Sequence, residues 1–222
     1  MSKDNIKNKI EWKINQESID FTAAYNFMED RVSQIISGSK NQMIWLLEHQ
    51  DVYTAGVSAK DYDLINKTNI PIFKTNRGGK YTYHGPGMKI IYVMLDLKSF
   101  FFPQKPDIAK FINFLENWII ATLSEYGITG EIRKDRVGIW VKDKNSEKKI
   151  AAIGVKIKKW VTYHGIALNL NPNLDNFKNI VPCGINNFGV TSLQELGIVN
   201  FSQINQIIKN KFIEVYDKDF CS

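Results

Sequence analysis

Apolar positions along the chain alternate between two periods. From Asp20 they recur at Phe21, Tyr25, Met28, Val32 and Ile36, the three-and-four spacing of one helix face, and Gly38 follows as a stop. A second helix is predicted from Asp107, with Ile108, Phe111, Ile112, Leu115, Trp118, Ile119 and Leu123 on one face and Gly127 beyond its end. A third should open at Thr191, where T-S-L-Q sets Gln194 three residues after a threonine, the spacing of a capping box. A fourth, over about 202–216, has Ile204, Ile207, Ile208 and Val215 as its apolar side. Strand-like runs fall between them at 43–47, 70–74, 90–95, 136–141, 150–157 and 166–171. Val137, Ile139 and Val141 alternate with Gly138 and Trp140, as in a half-buried strand, and the polar run K-D-K-N-S-E-K-K before Ile150 reads as a hairpin connection.

Helices and strands interspersed in this way predict an α/β (α+β) fold, a mixed β-sheet flanked by helices. The 222 residues fit one domain over 1–222, with no linker, internal repeat or low-complexity segment to divide it.

Charge changes this picture little. The formal net charge of +6 allows an acidic partner, nucleic acid or an anionic membrane, but the lysines are dispersed and the densest run is broken by Asp143 and Glu147. No RNP-like, zinc-finger or basic-zipper pattern is present, so no nucleic-acid partner is expected. The polar N-terminus lacks a signal-peptide core, and the longest apolar stretches are too short to span a bilayer, so no membrane association and a cytoplasmic location are expected. Two cysteines, Cys183 and Cys221, make no disulfide framework. With three scattered histidines they show no ligand spacing, and no metal is expected.

Three segments carry candidate chemistry. Arg77-G-G-K-Y-T-Y-His84-G-P-Gly87 holds four glycines and a proline, which allow close backbone approach to a ligand. It is not a P-loop, because Lys74 stands where the first glycine belongs and Tyr81 follows Lys80. Lys149-I-A-A-I-G-V-Lys156 places small residues in a β-prone run, and a lysine entering such a run can pair with an acid or a thiol. Pro182-Cys183-Gly184 sets a thiol between a stiff residue and a bare one, either to present it to a pocket or to pack it as a small hydrophobe. A nucleophilic cysteine needs a proton acceptor or a cation, and His49, His84, His164 and Lys149 are the candidates; spacing does not choose between them.

Together with Glu48-H-Q-D-V-Tyr53-T-A-Gly56, Thr162-Y-His164-G-I-A-L-Asn169 and Gly189-V-T-S-Leu193, these segments resemble the lipoyl(octanoyl) transferases in order, over about residues 45–195. The resemblance implies the catalytic domain fold shared with lipoate ligases and biotin protein ligases. It implies Cys183 as the nucleophile that takes an octanoyl group from acyl carrier protein, and Lys149 as the lysine that eases its ionisation and shuttles its proton. It further implies substrate contacts from Arg77, Gly78, Gly79, Lys80, Tyr81, Thr82, Tyr83 and His84, from Ala152, Ile153 and Gly154, and from Gly165, Ile166 and Ala167. The implied acceptors are lipoyl domains of 2-oxoacid dehydrogenase complexes and the glycine cleavage H protein. No cofactor is implied beyond the phosphopantetheine that delivers the acyl group. Lys80 and Met88 depart from the family's usual residues beside the pocket. The rival readings are an ATP-dependent lipoate ligase and a non-catalytic acyl-binding module.

Overall fold

The computed structural model describes residues 10–66, 68–134, 136–143, 146–181 and 188–220. Strand β1 (Ile10–Ile19) leads into helix α1 (Phe21–Ile36), which Asp20 caps by accepting from the Ala23 N–H at 2.9 Å. Strands β2 (Gln42–His49), β3 (Val52–Ala55), β4 (Ile72–Lys74), β5 (Tyr81–His84) and β6 (Met88–Met94) follow, with a single 3-10 turn at Asp61–Asp63. A short helix α2 (Leu97–Phe100) precedes α3 (Ile108–Ser124). Then come β7 (Glu131–Arg133), β8 (Arg136–Asp143), β9 (Ser146–Lys158), β10 (Val161–Asn169), a 3-10 turn at Leu174–Asn179, β11 (Gly189–Val190) and α4 (Ile204–Phe220).

Eight strands form the main sheet among the described residues, in the order β1-β2-β6-β10-β9-β8-β7, with β11 added alongside β9. The β1–β2 and β9–β11 pairs are parallel and the others antiparallel, giving the mixed sheet expected. Both of its faces are covered, which is why its central strands read as near-continuous apolar runs. Ile44, Leu46, Ile91 and Val93 meet α3 and α4, where Trp118 packs on Phe212 at 5.0 Å and donates to the Ile208 carbonyl at 2.8 Å. Met43, Trp45, Leu47, Tyr92 and Met94 face the other way, toward Ala24, Met28 and Val32 of α1. A three-stranded sheet, β4-β3-β5, lies on this second side and joins the same core through Tyr53 and Tyr83.

Three of the four predicted helices stand, and the fourth runs on to Phe220. The helix expected at Thr191 does not form. The Thr191 N–H is already spent on the Lys149 carbonyl at 2.9 Å, at the end of β11, and the following turns stop at Gly197, whose φ is +89°. The predicted hairpin joins β8 to β9, with Asp143 opposite Ser146. Strands β1, β3, β5, β7 and β11 were not legible: β1 is interrupted by polar residues, and β5 is hidden in the glycine-rich run. No helix among the described residues is long and apolar enough to cross a membrane.

Candidate active site

The alternation of β5 alongside β3 decides which side chains of the glycine-rich segment enter a cavity. Thr54 lies opposite Thr82 and Val52 opposite His84, so the period-2 alternation turns Thr54, Thr82 and His84 into a cavity. Tyr53 and Tyr83 are paired on the reverse side, where the Tyr83 hydroxyl donates to Asp51 Oδ1 at 2.6 Å. Tyr81 and Tyr83 therefore do not line the cavity, whereas Arg77, Gly78, Gly79, Lys80, Thr82 and His84 do.

The opposite wall is made by β9 and β10. Two triplets separated in sequence prove to be register partners: Ala152 faces Ala167, Ile153 faces Ile166 and Gly154 faces Gly165, and all six residues line the cavity. Space along this wall is tightest at Gly165. A Cβ at Gly165 would overlap the Ile91 carbonyl, and one at Gly154 would stand 3.4 Å from the Gly78 carbonyl oxygen, where the glycine-rich loop lies across β9. The cavity, about 540 Å³ with its open mouth included, is completed by Phe21, Ile90, Tyr92 and His164. Phe21, Thr54, Ile90 and Tyr92 were absent from the sequence-derived set. Alternation along 90–95 places Ile90 and Tyr92 on one face, and that signal was available.

Arg77 is buried and holds the loop rather than offering a free charge. Its guanidinium donates to the Thr54 carbonyl and Oγ1, each at 2.8 Å, to the Lys80 carbonyl at 2.9 Å and to the Gly78 carbonyl at 2.9 Å. His84 and His164 feel this cation, and His49 lies beside His84, with ring centroids 6.1 Å apart. Burial, then the charges of Arg77 and Lys156, lower the pKa of His164 to about 3. Burial lowers His49 to about 4, against the Ile19 carbonyl at 2.8 Å from its Nδ1; its Nε2 meets the Tyr92 hydroxyl at 2.7 Å. Burial holds His84 well below the usual range, reinforced by His49, Arg77 and His164. His84 and His164 line the cavity as neutral rings, so that Arg77 and Lys80 are the charged groups of its wall.

Lys149 sits on β9, opposite Trp140 on one side and Val190 on the other. It lines a second, smaller cavity that shares Thr82 and Ala152 with the first. Its ammonium donates to the Val137 carbonyl at 2.8 Å and lies 5.0 Å from the Trp140 ring, and among the described residues no carboxylate is in ion-pair range. Gly138 makes room for it: φ there is +119°, and a Cβ would stand 2.6 Å from the Ala151 carbonyl oxygen and 3.3 Å from Lys149 Nζ. Pro182, Cys183 and Gly184 lie outside the described residues. Before them, the Val181 N–H is held by the Asp63 carbonyl at 2.7 Å; after them, Phe188 packs on Trp140 at 5.5 Å.

Residues 20–213 match the family model of the lipoyl protein ligase A/B catalytic domain. The octanoyltransferase of Wolbachia pipientis subsp. Culex pipiens is 47% identical over 207 residues, covering 93% of this chain and 99% of that protein. Among solved structures, a lipoate-protein ligase A bound with ATP superposes with a TM-score of 0.68 at 16% identity, over 92% of this chain and 85% of its own. The biotin protein ligase of Aquifex aeolicus, solved with biotin and ATP, superposes with a TM-score of 0.55 at 13% identity, over 96% and 72%. The two structures establish the fold, and the family model and the sequence relative establish the lineage: this chain belongs to the lipoyl protein ligase A/B catalytic-domain family, among its octanoyltransferases.

Proposed function

We propose that this enzyme moves an octanoyl group from octanoyl-acyl carrier protein to a specific lysine of a lipoyl domain, holding it in between as a thioester on Cys183. The observation that carries this reading is the cavity. Its two principal walls are the segments that the family's substrate pocket predicts, brought into register, and a buried lysine with no carboxylate partner among the described residues stands at its side.

In the first stage the Cys183 thiolate attacks the thioester carbonyl. A C–S bond forms, the bond to the phosphopantetheine sulfur breaks, and the departing thiolate takes a proton from the Lys149 ammonium. In the second stage the acceptor lysine attacks as the free amine and displaces the Cys183 thiolate. Its excess proton passes to Lys149, which returns the site to its starting state. A cation beside the sulfur favours the thiolate in both resting and leaving roles. The backbone N–H groups of the glycine-rich loop are the candidate donors for the oxyanion, and the neutral histidines add no charge to the slot for the acyl chain. An amide formed from a thioester is downhill, so the sequence needs no nucleotide.

Intact-protein mass spectrometry after mixing with octanoyl-acyl carrier protein tests the proposal. Wild-type protein should gain one octanoyl group and Cys183→Ser none. Transfer to a lipoyl domain without any adduct, or transfer that requires ATP, would refute it.

A further inference from the structure

Asp63 is a carboxylate with 1% of its surface exposed, 14 residues before the glycine-rich segment and outside every motif named above. Its side chain accepts from the Lys60 N–H at 3.0 Å and from Lys80 Nζ at 3.3 Å. Its backbone carbonyl accepts from the Val181 N–H at 2.7 Å. Neighbouring bonds extend that last contact into a seam. Leu64 bridges Ile180, and the Ile65 and Asn66 N–H groups both donate to the Asn179 carbonyl. One buried residue thus grips the cavity-lining Lys80 with its side chain and, with its main chain, the strand of protein that leads into Pro182-Cys183-Gly184.

A buried carboxylate is costly unless it is paired and hydrogen-bonded, and this one meets that condition by linking two separate parts of the site. Lys80 needs such a partner. Its side chain is 29% exposed, and a long flexible lysine in that position gains entropy by swinging into solvent. Its backbone is fixed independently, since its carbonyl accepts from both Gly56 and Arg77. What Asp63 adds is the direction of the side chain and its tie to residue 181.

We propose that Asp63 is a positioning residue for acyl transfer. Through the Asp63–Lys80 ion pair it fixes the cavity wall relative to the segment entering the nucleophile motif. The proposal rests on the reading of Cys183 as the acyl acceptor. It predicts that the two charges act as one unit, so their removal is not additive.

Single-turnover acylation by octanoyl-acyl carrier protein, followed by mass, tests this in wild type, Asp63→Asn, Lys80→Gln and the double variant. Each single variant should acylate about tenfold more slowly, the scale of one charge-assisted hydrogen bond. The double variant should be no slower than either single one, because its two amides can bond to each other. The loss should appear in the maximal rate more than in the half-saturating donor concentration, and alkylation of Cys183 by iodoacetamide should stay near the wild-type rate. Lys80→Gln alters a part-exposed side chain, so it reports on the idea even where Asp63→Asn folds poorly. Wild-type acylation rates in Lys80→Gln, or single-variant losses that multiply in the double, would overturn the positioning role. A loss that tracks the melting temperature and equally slows alkylation would make Asp63 merely structural. Absence of acylation in the wild type is a different result, which removes the thioester reading itself.

Discussion

Mild acid should weaken this fold before most of its carboxylates titrate, because all three histidines of the chain are buried. His49 and His164 fall from an ordinary 6.5 to about 4 and about 3, chiefly because burial penalises the charged ring. Between those values and 6.5 the unfolded chain binds a proton that the folded chain refuses. Their contribution is therefore complete above the unfolded value and is lost as the pH falls toward the folded one. One unit below 6.5, each of these two rings costs about 1.4 kcal/mol, or about 3 kcal/mol together. His84 is depressed for the same reason and adds to the loss in the same direction. Urea unfolding followed by tryptophan fluorescence at about pH 7.5 and about pH 5.5 should show a fall of about 3 kcal/mol or more. His164→Asn should remove about 1.4 kcal/mol of that difference, asparagine being a residue that tolerates the backbone's φ of +61° there. Stability that is flat within about 1 kcal/mol across this interval would refute the burial argument, since neutral buried rings cannot avoid the linkage.

Other substitutions separate the parts of the site. Lys149→Met should leave the unfolding midpoint close to wild type while slowing acylation of Cys183 about a hundredfold, the usual share of a positioned proton carrier; a rate within threefold of wild type in single-turnover mass measurements would shift that role to another residue. Arg77→Lys keeps a cation but not the fork that serves four carbonyl and hydroxyl acceptors, so urea unfolding should show a loss of about 2–4 kcal/mol. Gly165→Ala drives a methyl into the Ile91 carbonyl and should destabilise by about 2–4 kcal/mol, again read by urea unfolding, with acyl loading reduced as the wall opens. Gly138→Ala strains a φ of +119° and crowds the lysine, so it should slow acylation by more than its stability loss explains, as seen by comparing the single-turnover rate with the melting temperature.

Much of the frame is written in local periodicity, and the failures have local causes. The first two predicted helices, at Asp20 and Asp107, keep their boundaries because each has an aspartate cap before it and a positive-φ glycine beyond it. The strand pattern weakens wherever tertiary contact supplies what the sequence lacks. Strand β1 carries polar residues at an edge position, and β5 becomes a strand because β3 lies beside it rather than through any run of β-branched residues. At Thr191 a capping-box pattern lost to the sheet, because the N–H that Gln194 would have capped donates to the Lys149 carbonyl, and the single turn that follows ends at Gly197.

The site was legible as pieces and illegible as an arrangement. A glycine-rich run, a small-residue run and a G-I-A triplet can each be found by eye, but nothing local says that Ala152 meets Ala167 or that Gly154 meets Gly165. That pairing is set by the β9–β10 register over the whole length of both strands, and a slip of one residue would break every one of these pairs. The same dependence explains why Tyr81 and Tyr83 do not line the cavity. Tyr81 and Tyr83 belong to the segment that lines the cavity, yet the pleat that carries Thr82 and His84 inward must carry their neighbours outward, where Tyr83 finds Asp51. Asp63 marks the limit of the approach from motifs, because it lies in none of them. Its claim on the site comes only from what the fold places within reach of a single carboxylate and its own carbonyl.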